Sequence, residues 1–245
     1  MSQQNTLSDH IKELHDRRAI WEKKETLRAC YKNWLSMLAP FVKKGRTLEI
    51  GSGAGLIKEL WSGDLVSTDI LKTPWIDFQA DAENLTFNKN SFDNILGIDL
   101  LHHLKKPHYL FTNAKDILTP GGKIILIEPW ITPLSFIFYK LMHHEKISFS
   151  DTFTRNETNP WDANIALPNL IFSKMGRNFI SRHSYFKIEL IKKFSFFDFQ
   201  LVGGFKPWSI IKSVKLYNLF LRLDKLLSFL MPLIGFRVLI VLKKE

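Results

Sequence analysis

The stretch that decides the fold is Glu49-Ile50-Gly51-Ser52-Gly53-Ala54-Gly55, where a β-rich run ends in glycines at every second position. Glycine permits positive φ angles and lets a ligand approach the backbone closely. A dinucleotide fingerprint would need its third glycine at position 56, which is Leu56, and the Lys and Ser/Thr of a P-loop are missing. The glycines therefore indicate a strand-to-helix turn beside a ligand, although a purely structural turn explains them equally well.

Patterns typical of strands and helices alternate around this loop. Helices are predicted over 7–39, 56–61, 107–118 and 211–230, and strands over 47–50, 65–68, 75–79, 92–98, 123–127, 186–194 and 236–242. Such alternation implies βαβ units and a mostly parallel sheet with right-handed crossovers. The sequence thus predicts an α/β fold with a seven-stranded sheet and helices on both faces.

The length of 245 residues favours a single domain with elaborations. Changes in pattern divide it into N-terminal helices, a cofactor-binding half, a helical insert on the acceptor side, and a last part with strands and an amphipathic helix. These parts are 1–40, 41–130, 131–185 and 186–245. The insert is expected over the carboxyl ends of the strands, where open α/β sheets bind ligands.

Composition excludes several classes of protein. A chain that is 45% hydrophobic and 24% charged is not disordered, collagenous or a coiled coil. The single cysteine, Cys30, excludes an intramolecular disulfide framework and a Cys-rich zinc site. The polar start at 1–9 shows no signal peptide, and Pro232, Gly235 and Arg237 interrupt the longest apolar stretch. We expect a cytoplasmic protein without a transmembrane helix, with association at a membrane surface as an open alternative.

The net charge of +10 is unevenly distributed. Residues 41–130 carry −1 and residues 186–245 carry +7, while 1–40 and 131–185 carry +2 each. A basic surface spread over the whole molecule would suit nucleic acid, and this distribution does not suggest one. The excess in the last part indicates first a solvated helix face and, as the alternative, peripheral contact with an anionic membrane through residues 206–245.

The amphipathic helix at 211–230 carries much of that charge. Its leucines, Leu216, Leu219, Leu223, Leu226, Leu227 and Leu230, share one face, and Lys215, Asn218, Arg222 and Lys225 share another. We expect the leucine face to pack on the sheet and the basic face to be solvated. The alternative is attachment to an anionic membrane surface.

Three acids follow the first three strands. Glu49 ends the first strand, Asp69 closes the second, and Asp81 follows the third. A carboxylate at Asp69 can accept both hydroxyls of a ribose, and one at Asp81 can accept from an adenine amino group. Because three acids would repel a pyrophosphate, they suit an adenosine ligand with a positive centre and no phosphate, such as S-adenosylmethionine.

Here the sequence resembles the class I S-adenosylmethionine-dependent methyltransferases, in the branch related to quinone biosynthesis and small molecules. The resemblance covers about residues 45–130, in the stretches 48–55, 81–87, 91–96, 101–104 and 118–122 and at Asp69. It implies a Rossmann-like sheet of order 3-2-1-4-5-7-6, with strand seven antiparallel. The amino-methylating pattern of nucleic-acid enzymes is absent, since Gly97-Ile98-Asp99-Leu100 follows in its place.

The resemblance also implies which residues bind S-adenosylmethionine. Glu49, Gly51 and Gly53 would border the methionine moiety, Asp69 would hold the ribose, and Asp81 with Ala82 would meet the adenine. The cofactor-binding prediction also includes Ser52, Ile70 and Asp99. No metal is expected, because the adjacent side chains of His143-His144-Glu145 diverge by about 100° on a helix.

The predicted function is S-adenosylmethionine-dependent methyl transfer to a small-molecule or lipid-like acceptor at oxygen or carbon. His102 is the candidate general base, and catalysis by positioning of the acceptor without a base is the alternative. Five aromatics could line an acceptor pocket or form the core of the insert: Trp130, Phe136, Phe138, Tyr139 and Trp161. The alternatives are an NAD-dependent oxidoreductase and a non-enzymatic cofactor-binding module on a membrane surface. The sequence leaves the oligomeric state open.

Overall fold

A computed structural model describes residues 7–142, 145–150, 163–173 and 182–245. The strands are β1 Thr47–Ile50, β2 Leu65–Asp69, β3 Phe78–Gln79, β4 Phe92–Ile98, β5 Leu118–Pro129, β6 Phe186–Phe194 and β7 Arg237–Lys244. The helices are α1 Leu7–Lys23, α2 Glu25–Leu38, α3 His108–Ile117, α4 Pro133–Met142, α5 Leu167–Phe172, α6 Asp198–Val202, α7 Val214–Leu226 and α8 Met231–Ile234. Short 3₁₀ turns occupy Ala39–Phe41, Ile57–Glu59, Leu101–His103 and Ser228–Leu230.

One sheet of seven strands organises the molecule, in the order β3-β2-β1-β4-β5-β7-β6. Strands β1 to β5 pair in parallel, and β7 runs antiparallel to both β5 and β6. The predicted order and the antiparallel seventh strand are therefore confirmed. The carboxyl ends of β1, β2 and β4 meet at one edge, which we call the carboxyl edge.

The beginning of β7 and the end of β6 reach the same edge. Arg237 is paired with Pro129 at the end of β5 and with Phe194 at the end of β6. Because β7 is antiparallel, its first residue lies where its neighbours end. Elements that flank β7 at its start are thus placed beside the carboxyl edge.

Both faces of the sheet are buried at its central strands. Successive residues of a strand point to opposite faces, so Ile124 and Leu126 join one cluster with α3 and α5, and Ile125 and Ile127 join another. The second cluster contains α2, α6 and the buried Tyr217 of α7. Continuous apolar strands are typical of a sheet covered on both sides.

Several elements differ from prediction at their bounds; β5, for example, begins at Leu118 instead of at 123. The helix expected over 7–39 is two helices, because Lys24 leaves the helical path and its ammonium donates to the carbonyls of Gly204, Lys206 and Trp208. The helix expected over 56–61 is only the 3₁₀ turn Ile57–Glu59, since few residues separate Gly55 from Gly63 and short helices are marginal. Strand β3 is reduced to two residues.

The expectation that α7 packs its leucine face on the sheet is wrong. Leu219 is 50% exposed and Leu226 is 71% exposed. The helix instead turns Tyr217 and Asp224 towards the body of the protein. The Tyr217 hydroxyl donates to the buried Asp198, and the Asp224 carboxylate accepts from the backbone N–H groups that follow β6. These hydrogen bonds satisfy buried polar groups, which fixes the rotation of the helix.

Within the described ranges, no helix combines the length and the apolarity needed to cross a membrane.

The Asp198 network gives a test of this packing. Asp198→Ala is expected to lower the free energy of unfolding by about 2–4 kcal/mol, because it leaves the indole N–H of Trp34 and the hydroxyl of Tyr217 without their buried acceptor. Urea denaturation measures the change. Asp116→Ala, at an exposed position of α3, is the matched control and should change stability by less than about 0.5 kcal/mol. Equal stability of the two variants would contradict this network.

Candidate cofactor site

The glycine loop after β1 folds back against the ends of its neighbouring strands. Gly51 has a φ of 69°, and a Cβ there would lie 2.7 Å from Cδ1 of Leu100. Gly53 has a φ of 53°, and its N–H donates to Oδ2 of Asp69 at 2.7 Å. A residue with a side chain would be strained at either φ, so the loop exposes its backbone where the sequence predicted ligand approach.

A cavity of about 170 Å³ opens beside this loop at the carboxyl edge. Seven of the predicted cofactor-binding residues line it, namely Glu49, Gly51, Ser52, Gly53, Asp69, Ile70 and Asp99. Asp81 and Ala82 do not. Asp81 is exposed and accepts from the N–H of Glu83, while Ala82 is buried in the core. The adenine contact of these two residues stays a prediction.

Asp69 holds the loop as well as facing the cavity. Its Oδ1 accepts the N–H of Leu71 at 2.8 Å while Oδ2 binds Gly53. Burial raises the pKa of Asp69, and the same N–H groups oppose that rise. An ionised carboxylate has about four acceptor positions, so Asp69 retains capacity for hydroxyl donors of a ligand.

Glu49 is a buried acid at the cavity with a raised pKa. Its side chain is buried, and burial, with the charge of Asp69 adding to it, raises its pKa to about 7 against the opposing effect of Ser52. Within the described part of the chain, Oε2 of Glu49 accepts no hydrogen bond. Buried polar atoms normally have partners, so this oxygen suits a cationic or hydrogen-bond-donating group of a ligand.

Asp99 begins the loop after β4 with a φ of 53°. Its carboxylate receives two hydrogen bonds, of 2.6 and 3.0 Å, from the guanidinium of Arg237. That guanidinium also stacks on Trp34 and Phe199. Although burial alone would raise it, Arg237 holds the pKa of Asp99 below its usual value. The side chain of Asp99 is thus engaged by the protein, and its position brings the loop backbone to the cavity wall.

Glu128 fixes the rest of that loop. Its Oε1 accepts the N–H groups of Leu100 and Leu101, and its Oε2 lies 2.6 Å from Nδ1 of His102. Burial would lower the pKa of His102, but Glu128 and then Glu145 raise it overall. His102 is buried and does not line the cavity, whereas its neighbour His103 does. Catalysis by His102 stays a prediction.

Among the lining residues that the sequence analysis did not predict, four lie far from the glycine loop along the chain: Leu14, Arg17, Tyr31 and Phe205. They come from α1, α2 and the segment after α6, far along the chain from the glycine loop. Arg17 is held by Glu13, with Nη2 to Oε1 at 2.6 Å, and its guanidinium lies over the ring of Phe205. No motif marks these residues, because they meet the cavity only through packing of elements that are distant along the chain.

The described residues also contain a cluster able to ligate a cation. His102, His103 and Glu145 bring ligand atoms within 4.8 Å of one another. His143 and His144, the other members of the pattern considered in the sequence, lie outside the described residues.

The aromatics considered for an acceptor pocket are divided. Trp130 and Tyr139 are buried, and the Tyr139 hydroxyl donates to the carbonyl of Phe236. Phe136 and Phe138 are exposed on α4, and Trp161 lies outside the described residues.

Comparison with known proteins agrees with this geometry. Residues 48–126 match the family model of a methyltransferase domain. A lovastatin diketide synthase from Aspergillus terreus is 31% identical over 70 residues, which are 29% of this chain and 3% of the synthase. The aligned stretches thus span only 2–3% of the curated relatives that match.

Solved structures share the fold over most of the chain. An S-adenosylmethionine-dependent methyltransferase from Thermotoga maritima, titled a possible histamine N-methyltransferase, covers 95% of this chain and 99% of its own, with a TM-score of 0.56 and 16% identity. One from Archaeoglobus fulgidus covers 89% and 94%, with a TM-score of 0.53 and 18% identity. The methyltransferase-domain match over 48–126 and the shared fold support the expected resemblance to class I S-adenosylmethionine-dependent methyltransferases. The branch within that class stays a prediction.

The pKa of Glu49 predicts a distinctive pH dependence of stability. Because the folded protein holds this proton more tightly than the unfolded chain, the wild type loses stability as pH rises from about 4.3 to about 7. Glu49→Gln cannot ionise, so its stability relative to wild type should rise by up to about 3 kcal/mol over that range. Urea denaturation across the range measures it. A difference that does not change with pH would show that Glu49 titrates as an ordinary exposed acid.

Proposed function

We propose that this protein binds S-adenosylmethionine in the cavity at the carboxyl edge and transfers its methyl group to a small or lipid-like acceptor. The observation that carries the proposal is the arrangement of Glu49, Asp69 and the exposed loop backbone around one cavity. The matched family model over 48–126 supports the same cofactor. The chain and its curated relatives overlap only over a short stretch, so their reactions do not identify its acceptor.

The residues present fit this cofactor. The partnerless Oε2 of Glu49 would accept from the amino group of the methionine moiety, and its negative charge suits a cation. A Cβ at Gly51 would contact Leu100, so the glycine keeps the loop backbone close to the β4 loop. Asp69 would accept from the ribose, and Arg17, at the wall formed by α1, would bind the carboxylate of the methionine moiety.

When bound, S-adenosylmethionine supplies a methyl group on a sulfonium that is already activated for displacement. The protein's task is therefore mainly to position the acceptor and exclude water. Glu128 contributes to positioning indirectly, because its carboxylate accepts hydrogen bonds from the N–H groups of Leu100 and Leu101 and so fixes the loop beside the cavity. Methylation at oxygen or at carbon is compatible with such a site.

An acceptor hydroxyl would need a proton acceptor. We place His103 in that role because it lines the cavity. His102, the residue predicted from the sequence, lies against it with ring centroids 4.2 Å apart and is oriented by Glu128. In this proposal His102 positions His103 and does not touch the substrate.

Asp69→Ala is expected to weaken binding of S-adenosylhomocysteine about 10- to 100-fold, because it removes the ribose acceptor and releases the N–H of Gly53. Isothermal titration calorimetry measures the affinity. Asp64→Ala, an exposed acid just before the opposite end of β2, is the matched control and should bind as the wild type does. Unchanged affinity of Asp69→Ala would remove Asp69 from the cofactor site, and the same titration on Asp81→Ala tests the predicted adenine contact.

Turnover tests the reaction itself. Incubation with S-adenosylmethionine and extracted lipids or small hydroxylated aromatics should release S-adenosylhomocysteine only when an acceptor is present. NAD binding without any response to S-adenosylmethionine would favour the oxidoreductase alternative and overturn the proposal.

The predicted contact of residues 206–245 with an anionic membrane belongs to the same proposal. The excess of basic residues in this part of the chain supports it. A lipid-like acceptor would then be available where the protein binds.

A further inference from the structure

Helix α7 presents an apolar stripe to solvent. At about 100° per residue, Leu216, Leu219, Leu223 and Leu226 fall on one side of the helix. They are between 36% and 71% exposed, whereas Tyr217 on another side is buried. Within the residues that the structure describes, much of this stripe is therefore left uncovered.

Helix α4 carries a second stripe of the same kind. Leu134, Ile137, Phe138 and Leu141 recur at the spacing of one helix face. All four are exposed, and Leu141 is 77% exposed, while Tyr139 on the other side is buried. The insert thus contributes an apolar surface in addition to any core that it forms.

The two stripes are joined by the segment between α7 and β7. Helix α4 packs against α8, and α8 follows directly on the 3₁₀ turn at the end of α7. Phe229 in that turn is 74% exposed and Leu233 on α8 is 54% exposed. Large continuous apolar patches are rare on monomeric proteins and mark interaction sites. We call the exposed apolar side chains of α4, α7, α8 and the intervening turn the docking face.

The docking face lies beside the cofactor cavity. Helix α4 begins shortly after Pro129, at the end of β5, and α8 ends shortly before Arg237, the partner of Pro129 in the sheet. Helix α7 is tied through Asp224 to the N–H groups of Phe196 and Phe197, just beyond β6. All three attachments are at the carboxyl edge, where the cavity opens.

Basic side chains border the leucine stripe of α7. Lys215, Arg222 and Lys225 are exposed and fall on the side of the helix next to the leucines. The one acidic residue of α7, Asp224, is turned inward onto backbone N–H groups. Apolar residues flanked by lysine and arginine are the pattern of a helix that lies in the interface of an anionic membrane. The charge of the border thus identifies the kind of partner.

A second copy of the chain fits this surface less well. An isologous contact brings the same patch of both copies together, so the basic border would face itself. Juxtaposed like charges oppose association, and acidic headgroups would neutralise them.

From these observations we propose that the docking face binds the surface of an anionic lipid bilayer and holds the carboxyl edge, with its cavity, next to the headgroups. The exposed leucines enter the boundary of headgroups and acyl chains, and the basic border contacts acidic lipids. The acceptor class follows from this orientation, and is a lipid or lipid-linked molecule taken from the bilayer. This last step rests on the proposed methyl transfer, whereas the docking itself does not.

Vesicle flotation of the full-length protein tests the docking. The protein should float with vesicles of equimolar phosphatidylcholine and phosphatidylglycerol, bind phosphatidylcholine vesicles at least about tenfold more weakly, and lose binding as salt is raised. Failure to bind the mixed vesicles would overturn the proposal.

Two pairs of variants separate the apolar and the basic contributions. Leu141→Asp with Leu226→Asp should weaken binding to mixed vesicles at least about tenfold, and Leu7→Asp, an equally exposed leucine on α1, should have no effect. Lys215→Glu with Lys225→Glu should weaken it about tenfold or more, whereas Lys44→Glu with Lys89→Glu should not. Vesicle binding that survives both tested pairs would overturn the assignment of this face.

Two further measurements distinguish the outcomes. Sedimentation without lipid detects self-association. If the wild type is a dimer, and the leucine variants dissociate it but still bind vesicles, then this face is an interface between two copies of the chain and the proposal is overturned. Affinity for S-adenosylhomocysteine should stay unchanged in the leucine and lysine variants. If these variants lose vesicle binding and retain cofactor binding, the docking stands whether or not methyl transfer is found.

Discussion

The ion pair between the buried Arg237 and the partly buried Asp99 connects the parts of the molecule on which the site depends. Arg237 begins the antiparallel β7, and Asp99 begins the loop that forms one wall of the cavity. The guanidinium also stacks on Trp34 of α2 and Phe199 of α6. Breaking a buried pair costs about 3–5 kcal/mol because one charge is left uncompensated. The C-terminal strand is therefore coupled to the cavity although it contributes no lining residue that the structure describes.

Acidic and basic side chains line different parts of the cavity. Glu49 and Asp69 are the acids at the strand end, and burial raises the pKa of Glu49 to about 7. Arg17 brings a fixed positive charge from α1. A ligand with an ammonium and a carboxylate on one carbon matches this separation, since each group finds its opposite. The net charge of −1 over residues 41–130 is thus less informative than the placement of these three side chains.

Local features made the fold and the acid cluster predictable from sequence. The glycine loop and the acids at strand ends are set by neighbours along the chain, and seven residues of the predicted site do line one cavity. Arg17 and Phe205 were not predictable, because their place depends on how distant helices pack. His102 and His103 are adjacent in sequence, and only the hydrogen bond to Glu128 shows which ring turns away from the cavity.

The leucine face of α7 shows a different limit of sequence reasoning. An amphipathic pattern predicts that one face of a helix is apolar, but it does not predict which surface covers that face. In α7 the orientation of the helix is set by its polar side chains. The hydrogen bonds of the Tyr217 hydroxyl and the Asp224 carboxylate are made only when these two side chains face the body of the protein.

Leu219 and Leu226 are exposed to water in the isolated protein. Complete burial of such a side chain is favourable by about 1.5–3 kcal/mol. Binding of a partner that buries these two side chains therefore gains part of this free energy. The helix attachments and the cavity lie at the same carboxyl edge of the sheet. The partner surface that covers the leucines therefore also determines which acceptors reach the cavity.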